Sequence, residues 1–169
     1  SDLVAAVRCE PSARVGAGYA DQLEALAVNS RGFLTGSIDL VFRDPHSKRW
    51  WVLDWKSNWI GERRSEASDV RCGPVHYHQA AMDEQMVHHH YPLQAHLYLV
   101  ALHRHLAARL PDYSLDRHLG GYVYCFLRGM PGAEGFDPDH ASAMPGRIVE
   151  PAPLQRVDAL NLALGEASV

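Results

Sequence analysis

Asp39, Asp54 and Lys56 are the side chains in this sequence whose types and spacing suit a reaction. Asp54 and Lys56 lie two positions apart, so a strand turns both to one face. Asp39 lies on the segment just before. Two carboxylates brought together make a hard oxygen site suited to Mg²⁺ or Mn²⁺. A lysine beside them can orient or activate a water and steady negative charge on a phosphate. That is the equipment of metal-assisted phosphodiester hydrolysis. Alone, an Asp-x-Lys on a strand is more often a solvated edge or a surface ion pair. The upstream acid on an adjoining strand raises its interest.

The elements that must position these groups follow from patterning. Residues 33–43 (FLTGSIDLVFR) alternate as a strand should, with Leu34, Ile38, Leu40 and Phe42 on one face and Thr35, Ser37, Asp39 and Val41 on the other. Residues 44–48 carry turn chemistry, and residues 49–56 (RWWVLDWK) return as a second strand. The pair forms an antiparallel hairpin in which Asp39 and Asp54 converge at one end of the sheet. On the returning strand Trp51, Leu53 and Trp55 share a face that reads as core. Val52, Asp54 and Lys56 share the other. Residues 57–74 are polar and read as a loop. Residues 77–90 have helix-compatible composition. A second helix is expected from Pro92, at home in a first turn, to about Leu110, before Pro111. Its buried stripe is Leu93, Leu97, Val100 and Leu110, with Gln94 and Tyr98 one turn apart on an adjacent face. Gly120 and Gly121 open a strand over residues 122–127 (YVYCFL), apolar enough to be central and covered on both sides. Residues 130–153 are rich in Pro and Gly and read as loop, and residues 154–164 as a closing helix. Residues 21–28 fit either a short helix or the approach to a strand. The order is that of an α/β or α+β sheet with helices packed on it.

Composition bounds the function. The chain has 169 residues, enough for one domain with a sizeable core, and residues 1–169 are expected to form a single domain. It has 16 Lys plus Arg against 20 Asp plus Glu, a formal charge of −4. That argues against binding of nucleic acid by bulk positive charge alone, though not through metal ions held by carboxylates. Three widely spaced cysteines argue against a disulfide framework and for a reducing, cytoplasmic setting. No apolar run has the length a membrane span needs, and the first residues lack the features of a signal peptide.

Four separate blocks, in order, carry a family likeness: residues 32–42 with 53–61 (GFLTGSIDLVF, LDWKSNWIG), 91–98 with 101–106 (YPLQAHLY, ALHRHL), 118–124 (HLGGYVY) and 126–129 (FLRG). Over about residues 32–129 the chain resembles the nuclease domains of the RecB-type helicase–nucleases, within the PD-(D/E)xK superfamily. The resemblance implies an α/β restriction-endonuclease-like core, a central mixed β-sheet flanked by helices. It implies Asp39 as the first metal-binding acid, Asp54 as the second, and Lys56 as the catalytic lysine. By the same resemblance the carbonyl of Trp55 is expected to complete the metal shell. Gln94 and Tyr98 match the Gln-xxx-Tyr motif of the RecB-like branch. There Tyr98 is expected to contact a phosphate and Gln94 to position the metal shell or the strand.

The function so implied is a Mg²⁺-dependent DNA nuclease, with Mn²⁺ as a substitute, in double-strand break repair and recombination. Its expected partners are DNA, helicase domains of the same polypeptide, and RecC-like and RecD-like subunits. No nucleotide-binding Gly-x-x-x-x-Gly-Lys-Ser/Thr loop is present, so another domain or subunit would feed the DNA. An AddAB-type exonuclease is an alternative home for the same chemistry. The family also has a histidine ligand on a helix upstream of the first acid, and residues 1–31 contain no histidine. The expectation is therefore either a C-terminal piece beginning after that helix or a divergent homologue lacking it. A non-catalytic module binding DNA or partner subunits is the competing reading.

Other residues have plainer readings. His88, His89 and His90, consecutive on a helix, point in different directions and read as a solvated helix end. His76 and His78 read as surface residues near the loop. Trp50, Trp51, Trp55 and Trp59 suit base stacking, but Trp51 and Trp55 read as core. Arg63 and Arg64 read equally well as phosphate contacts or as surface charge. Cys125 reads as a small buried hydrophobe.

Overall fold

The structure is a computed structural model that describes residues 2–9, 17–26, 35–61, 72–132, 135 and 145–165. Strand β1 (Leu40–Arg43) and strand β2 (Trp50–Lys56) form the antiparallel hairpin, with Leu40 opposite Leu53 and Phe42 opposite Trp51. Asp44 closes its turn. Its carboxylate accepts from the Ser47 hydroxyl and from the amides of Ser47 and His46, which together hold its pKa down at about 2.

Strand β1 is shorter than the alternation predicts. Residues 35–39 precede it without strand structure, and residues 33 and 34 lie outside the described residues. The cause is local. The Trp55 N–H is met at 2.9 Å by the Asp39 carboxylate rather than by a backbone carbonyl. A side chain thus ends the ladder where a further pair of residues would have extended it.

From β2 the chain passes through a 3₁₀ turn (Pro74–His76), then helices α3 (Gln79–His88), α4 (Tyr91–Arg109) and α5 (Leu115–His118). It returns as strand β3 (Leu119–Phe126), parallel to β2. A parallel neighbour needs such a crossover. Asp54 pairs with Tyr124 and Lys56 with Phe126. Every residue of β3 is buried, as expected for the central strand.

Strand β4 (Arg147–Pro151) completes the order β1-β2-β3-β4, antiparallel to β3. It lies inside the stretch 130–153 expected to be loop. Five residues ending in proline, of which Ile148 is the buried one, make a poor strand signal but an acceptable edge.

Helix α1 (Asp2–Arg8) and helix α2 (Ala17–Ala25) precede the sheet, and α6 (Leu154–Ala163) follows it. The stretch beginning at Asp21 is therefore helical as far as Ala25. Helices α1, α4 and α6 pack together, and α4 lies over β2 and β3. Pro92 occupies the first turn of α4, and Leu110 ends it in extended conformation just before Pro111. The Leu93 amide, in the first turn of α4, donates to the His90 carbonyl at 3.1 Å and to the Tyr19 hydroxyl of α2 at 3.2 Å. The buried residues of α4 are Pro92, Ala95, His96, Leu99, Val100, Leu102 and Leu106, so the stripe is rotated from the one expected. Leu93, Leu97 and Leu110 are only half-buried, at its margin.

The faces of β2 are also reversed from expectation. Val52, Asp54 and Lys56 are the buried residues, on the side of α4 together with Tyr122, Tyr124 and Phe126. Trp51 and Leu53 are half-buried and Trp55 is 44% exposed, so Trp51 and Trp55 are not core. Helix α4 decides this. It brings Gln94 to Lys56, which in turn pairs with Asp54, so that their burial is tolerable and the tryptophans are left on the other face.

Candidate active site

Lys56 ends β2 on the face that α4 covers, and its ammonium is surrounded by partners. It donates to Asp54 Oδ2 at 2.6 Å and to Gln94 Oε1 at 2.8 Å. Nζ also lies 3.8 Å from the centre of the Tyr91 ring and 4.8 Å from that of Tyr124. Asp54 and Lys56 are 6% and 8% exposed. Burial raises Asp54 above the ordinary carboxylate range; Lys56 opposes that shift, and the Asp39 charge reinforces it.

Asp39, just before β1, is exposed, and one of its oxygens takes the Trp55 N–H. Trp55 thus meets the site through its backbone while its indole lies on the far face. Gln94 and Tyr98 come from α4 one turn apart. Gln94 Oε1 accepts from Lys56 and from the Tyr124 hydroxyl at 2.9 Å, and Gln94 Nε2 donates to the Tyr98 hydroxyl at 2.9 Å. The amide is used at both ends, which fixes its orientation. Tyr98 accepts in that bond, so its own hydrogen is directed elsewhere. Burial and the nearby charges of Asp54 and Asp39 push its ionisation upward.

The structure therefore brings Asp39, Asp54, Lys56, Gln94 and Tyr98 together, with the Trp55 backbone beside them. Sequence reasoning missed Tyr91, Tyr124 and Asn58. The Tyr91 hydroxyl donates to Asn58 Oδ1 at 3.0 Å, Asn58 Nδ2 donates to Gln85 Oε1 at 3.2 Å, and the Tyr77 hydroxyl donates to the Asn58 carbonyl at 2.6 Å. Tyr91 precedes Gln94 by three residues and Tyr98 by seven, a spacing that puts all three on one helical face. Tyr124 becomes visible only through the parallel register that sets it beside Asp54.

The remaining candidates lie outside these five side chains, His89 meeting them by way of Tyr91. His88 ends α3, His89 caps it, and His90 adopts a left-handed conformation before α4, so the three form a helix junction. The His89 ring stacks on Tyr91 at 5.2 Å; burial and the neighbouring charges of His88, Lys56 and His90 lower its affinity for a proton. His78 caps α3 by accepting from the Ala81 amide, and His76 bonds to Gly73 in its own turn. Trp50 is half-buried with Arg43 over its ring, and Trp59 is 51% exposed with Arg128 over its ring at 5.7 Å. Cys125 is buried. Arg63 and Arg64 lie outside the described residues.

Two carboxylates and a backbone carbonyl are hard oxygen donors. Among the described residues no group of three or more His, Cys, Asp or Glu side chains gathers to hold a metal. Such a donor set fits Mg²⁺, which binds through one or two carboxylates and keeps other positions for water and substrate phosphate. It does not resemble a closed structural zinc site.

Strand β2 of the mixed sheet carries Asp54 and Lys56, Asp39 stands just before β1, and the crossover helix α4 brings Gln94 and Tyr98 to them. The profile of the PD-(D/E)XK nuclease superfamily matches residues 5–164, and the chain belongs to that superfamily. Among characterised proteins it is similar to the RecB subunit of the RecBCD enzyme of Escherichia coli (strain K12), 48% identical over 100 residues. That match covers 59% of this chain and 8% of the relative. The RecB subunit of Mycobacterium tuberculosis (strain CDC 1551 / Oshkosh) is 43% identical over 118 residues, 68% of this chain and 10% of the relative. That of Mycolicibacterium smegmatis is 44% identical over 103 residues, 61% of this chain and 9% of the relative. The matched segments thus span only about a tenth of the length of these relatives. Among the described residues no helix is long and apolar enough to cross a membrane.

Proposed function

We propose that this chain is the Mg²⁺-dependent DNA nuclease domain of a RecB-type helicase–nuclease acting in double-strand break repair and recombination. The observation that supports this best is the contact of Lys56 with both Asp54 and Gln94, beside Asp39, in a chain of the PD-(D/E)XK superfamily. Asp39, Asp54 and the Trp55 carbonyl are the groups that would hold the metal. When bound, the metal supplies Lewis-acid stabilisation of phosphate charge and a more acidic water.

The chain's own residues do the rest. Lys56 offers N–H donors where negative charge develops on the scissile phosphate, and it can orient the attacking water. Its low exposure keeps bulk water from screening that charge. Gln94 fixes the lysine from the helix side. Tyr98 keeps a hydroxyl hydrogen to give to a phosphate oxygen.

Net charge bears on the wider assembly. At −4 the chain has little bulk attraction for DNA, so helicase domains of the same polypeptide and RecC-like and RecD-like subunits would deliver the strand.

The test uses the polypeptide that carries this chain. With linear DNA and Mg²⁺ it is expected to release nucleotides, and chelation should stop it. Asp54→Ala or Lys56→Ala should each lower the rate by at least about 100-fold. Wild-type rates in both variants would overturn the site assignment. Mg²⁺ binding that is indifferent to Asp39→Ala and Asp54→Ala would favour a non-catalytic module.

A further inference from the structure

We infer that Tyr91 is a positioning residue for Lys56: its ring is a wall that keeps the ammonium aimed at the site when Asp54 is drawn to another cation. The inference rests on the nuclease reading for its purpose and on geometry for its content. Lys56 Nζ is 3.8 Å from the Tyr91 ring centre, within range of a strong cation–π contact, and 4.8 Å from that of Tyr124. The two rings stack at 5.6 Å with only 16° between their planes, so they form one continuous wall.

That wall is pinned on several sides. The Tyr91 hydroxyl donates to Asn58 Oδ1, and Asn58 is only two residues beyond Lys56. Asn58 is held in turn by Gln85 of α3 and, through its carbonyl, by Tyr77. The one Tyr124 hydroxyl hydrogen is shared between the Tyr91 carbonyl at 3.0 Å and Gln94 Oε1 at 2.9 Å. His89 stacks on Tyr91 with 19° between the ring planes.

The need for such a wall follows from the competing demands on Asp54. Its carboxylate is the nearest partner of Lys56 at 2.6 Å, yet it is also a candidate metal ligand. A divalent cation attracts that carboxylate more strongly than an ammonium does. Lys56 then keeps Gln94 as its remaining polar contact among the described residues, and one hydrogen bond leaves a long side chain free to swing. Two aromatic faces restrict that swing without competing for the metal. A misplacement of about 1 Å at a reacting group can cost about 100-fold in rate.

The experiment compares Tyr91→Leu, which removes the ring, with Tyr91→Phe, which keeps it and loses only the tether to Asn58. The first readout is NMR of the chain without metal or DNA. The ε-methylene protons of Lys56, assigned by their loss in Lys56→Arg, should lie upfield of the other lysines through the ring current of Tyr91 and Tyr124. Tyr91→Leu should move them toward the ordinary lysine position, and Tyr91→Phe should leave most of the upfield displacement. The second readout is cleavage kinetics of the parent polypeptide. Tyr91→Leu should lower kcat about tenfold or more with KM for DNA changed by less than about twofold, and Tyr91→Phe should restore most of kcat. An ordinary Lys56 resonance in the wild type, or a wild-type kcat in Tyr91→Leu, overturns the inference. So does an equal loss of kcat in both variants. A wild-type protein that cleaves nothing with Mg²⁺ sinks the nuclease reading instead, and the Lys56 resonance still decides the placement of Tyr91.

Discussion

Gln94 has one carbonyl oxygen and one amide nitrogen, and the site uses both. The oxygen takes hydrogens from Lys56 and Tyr124, and the nitrogen gives one to Tyr98. Replacing it with leucine keeps roughly the volume and removes all three bonds at once. A lysine ammonium that is hardly exposed then loses a neutral acceptor, and bonds to charged groups contribute about 1.5–3 kcal/mol. Gln94→Leu is expected to lower stability by about 2 kcal/mol, measured as the denaturant midpoint at neutral pH. Cleavage should fall with it, about tenfold or more, because the same bond sets the direction of Lys56. Unchanged stability would mean that solvent replaces Gln94 at the ammonium. Unchanged cleavage would mean that Asp54 and the rings suffice to place it.

At the scale of elements, β3 meets β2 at a close approach that only glycine permits. The register slips by one residue between Trp50 and Trp51, so that Trp50 faces Leu119 and Trp51 faces Gly121. A Cβ on Gly120 would come within 2.2 Å of Trp51 Nε1, and one on Gly121 within 2.0 Å of the Glu150 carbonyl oxygen. A side-chain ring can tilt, but the carbonyl belongs to the β3–β4 ladder and cannot move without breaking it. Gly121→Ala is therefore expected to cost about 3 kcal/mol, at the upper end of overpacking, and more than Gly120→Ala. Thermal unfolding of the two variants checks the order, and a smaller loss for Gly121→Ala would contradict it. Much of this layer was legible beforehand. Gly-Gly before an apolar run marked β3, the turn at Asp44 marked the hairpin, and Pro92 and Pro111 bracketed α4. What escaped has physical causes. Strand β4 is short and ends in proline, and α1 lacks a strong periodic stripe. The core face of β2 was misjudged because tryptophan outweighs Asp and Lys in any count of apolarity. The partners that make a buried Asp–Lys pair tolerable lie 38 residues further on, at Gln94. Alternation shows which residues share a face. It does not show which face a helix will cover.

For the whole molecule, one buried histidine ties stability to pH. His96 lies in the middle of α4, 1% exposed, where α4 and α6 pack and the Tyr122 ring of β3 comes edge-on. Its Nδ1–H donates to the Pro92 carbonyl, and its Nε2 accepts from Arg156 Nη1 at 3.2 Å. Both ring nitrogens are therefore committed in the neutral form. Burial, and then the Arg156 charge, lower its pKa from 6.5 to about 4, against a small opposing effect of the Pro92 carbonyl. Above pH 6.5 folded and unfolded chains both hold it neutral, and it contributes no pH dependence. Below 6.5 the unfolded chain takes up a proton that the folded chain refuses, so stability falls steadily until about pH 4. At about 1.36 kcal/mol per pH unit, the loss across that window is on the order of 3 kcal/mol. His103, lowered mainly by burial, acts in the same direction. Asp54 acts in the opposite one. Its raised pKa lets the folded chain bind its proton first, which adds stability as the pH drops toward the carboxylate range. His96→Gln separates these contributions, because glutamine can donate to the Pro92 carbonyl and accept from Arg156 but cannot titrate. Unfolding free energies of the two proteins, measured from about pH 7.5 to about 4.5, should converge as the pH falls, or cross, with the variant showing the flatter profile. Parallel profiles would assign the acid sensitivity of the fold to other groups, and Arg156 would then be neighbour to a histidine that gains its proton without cost.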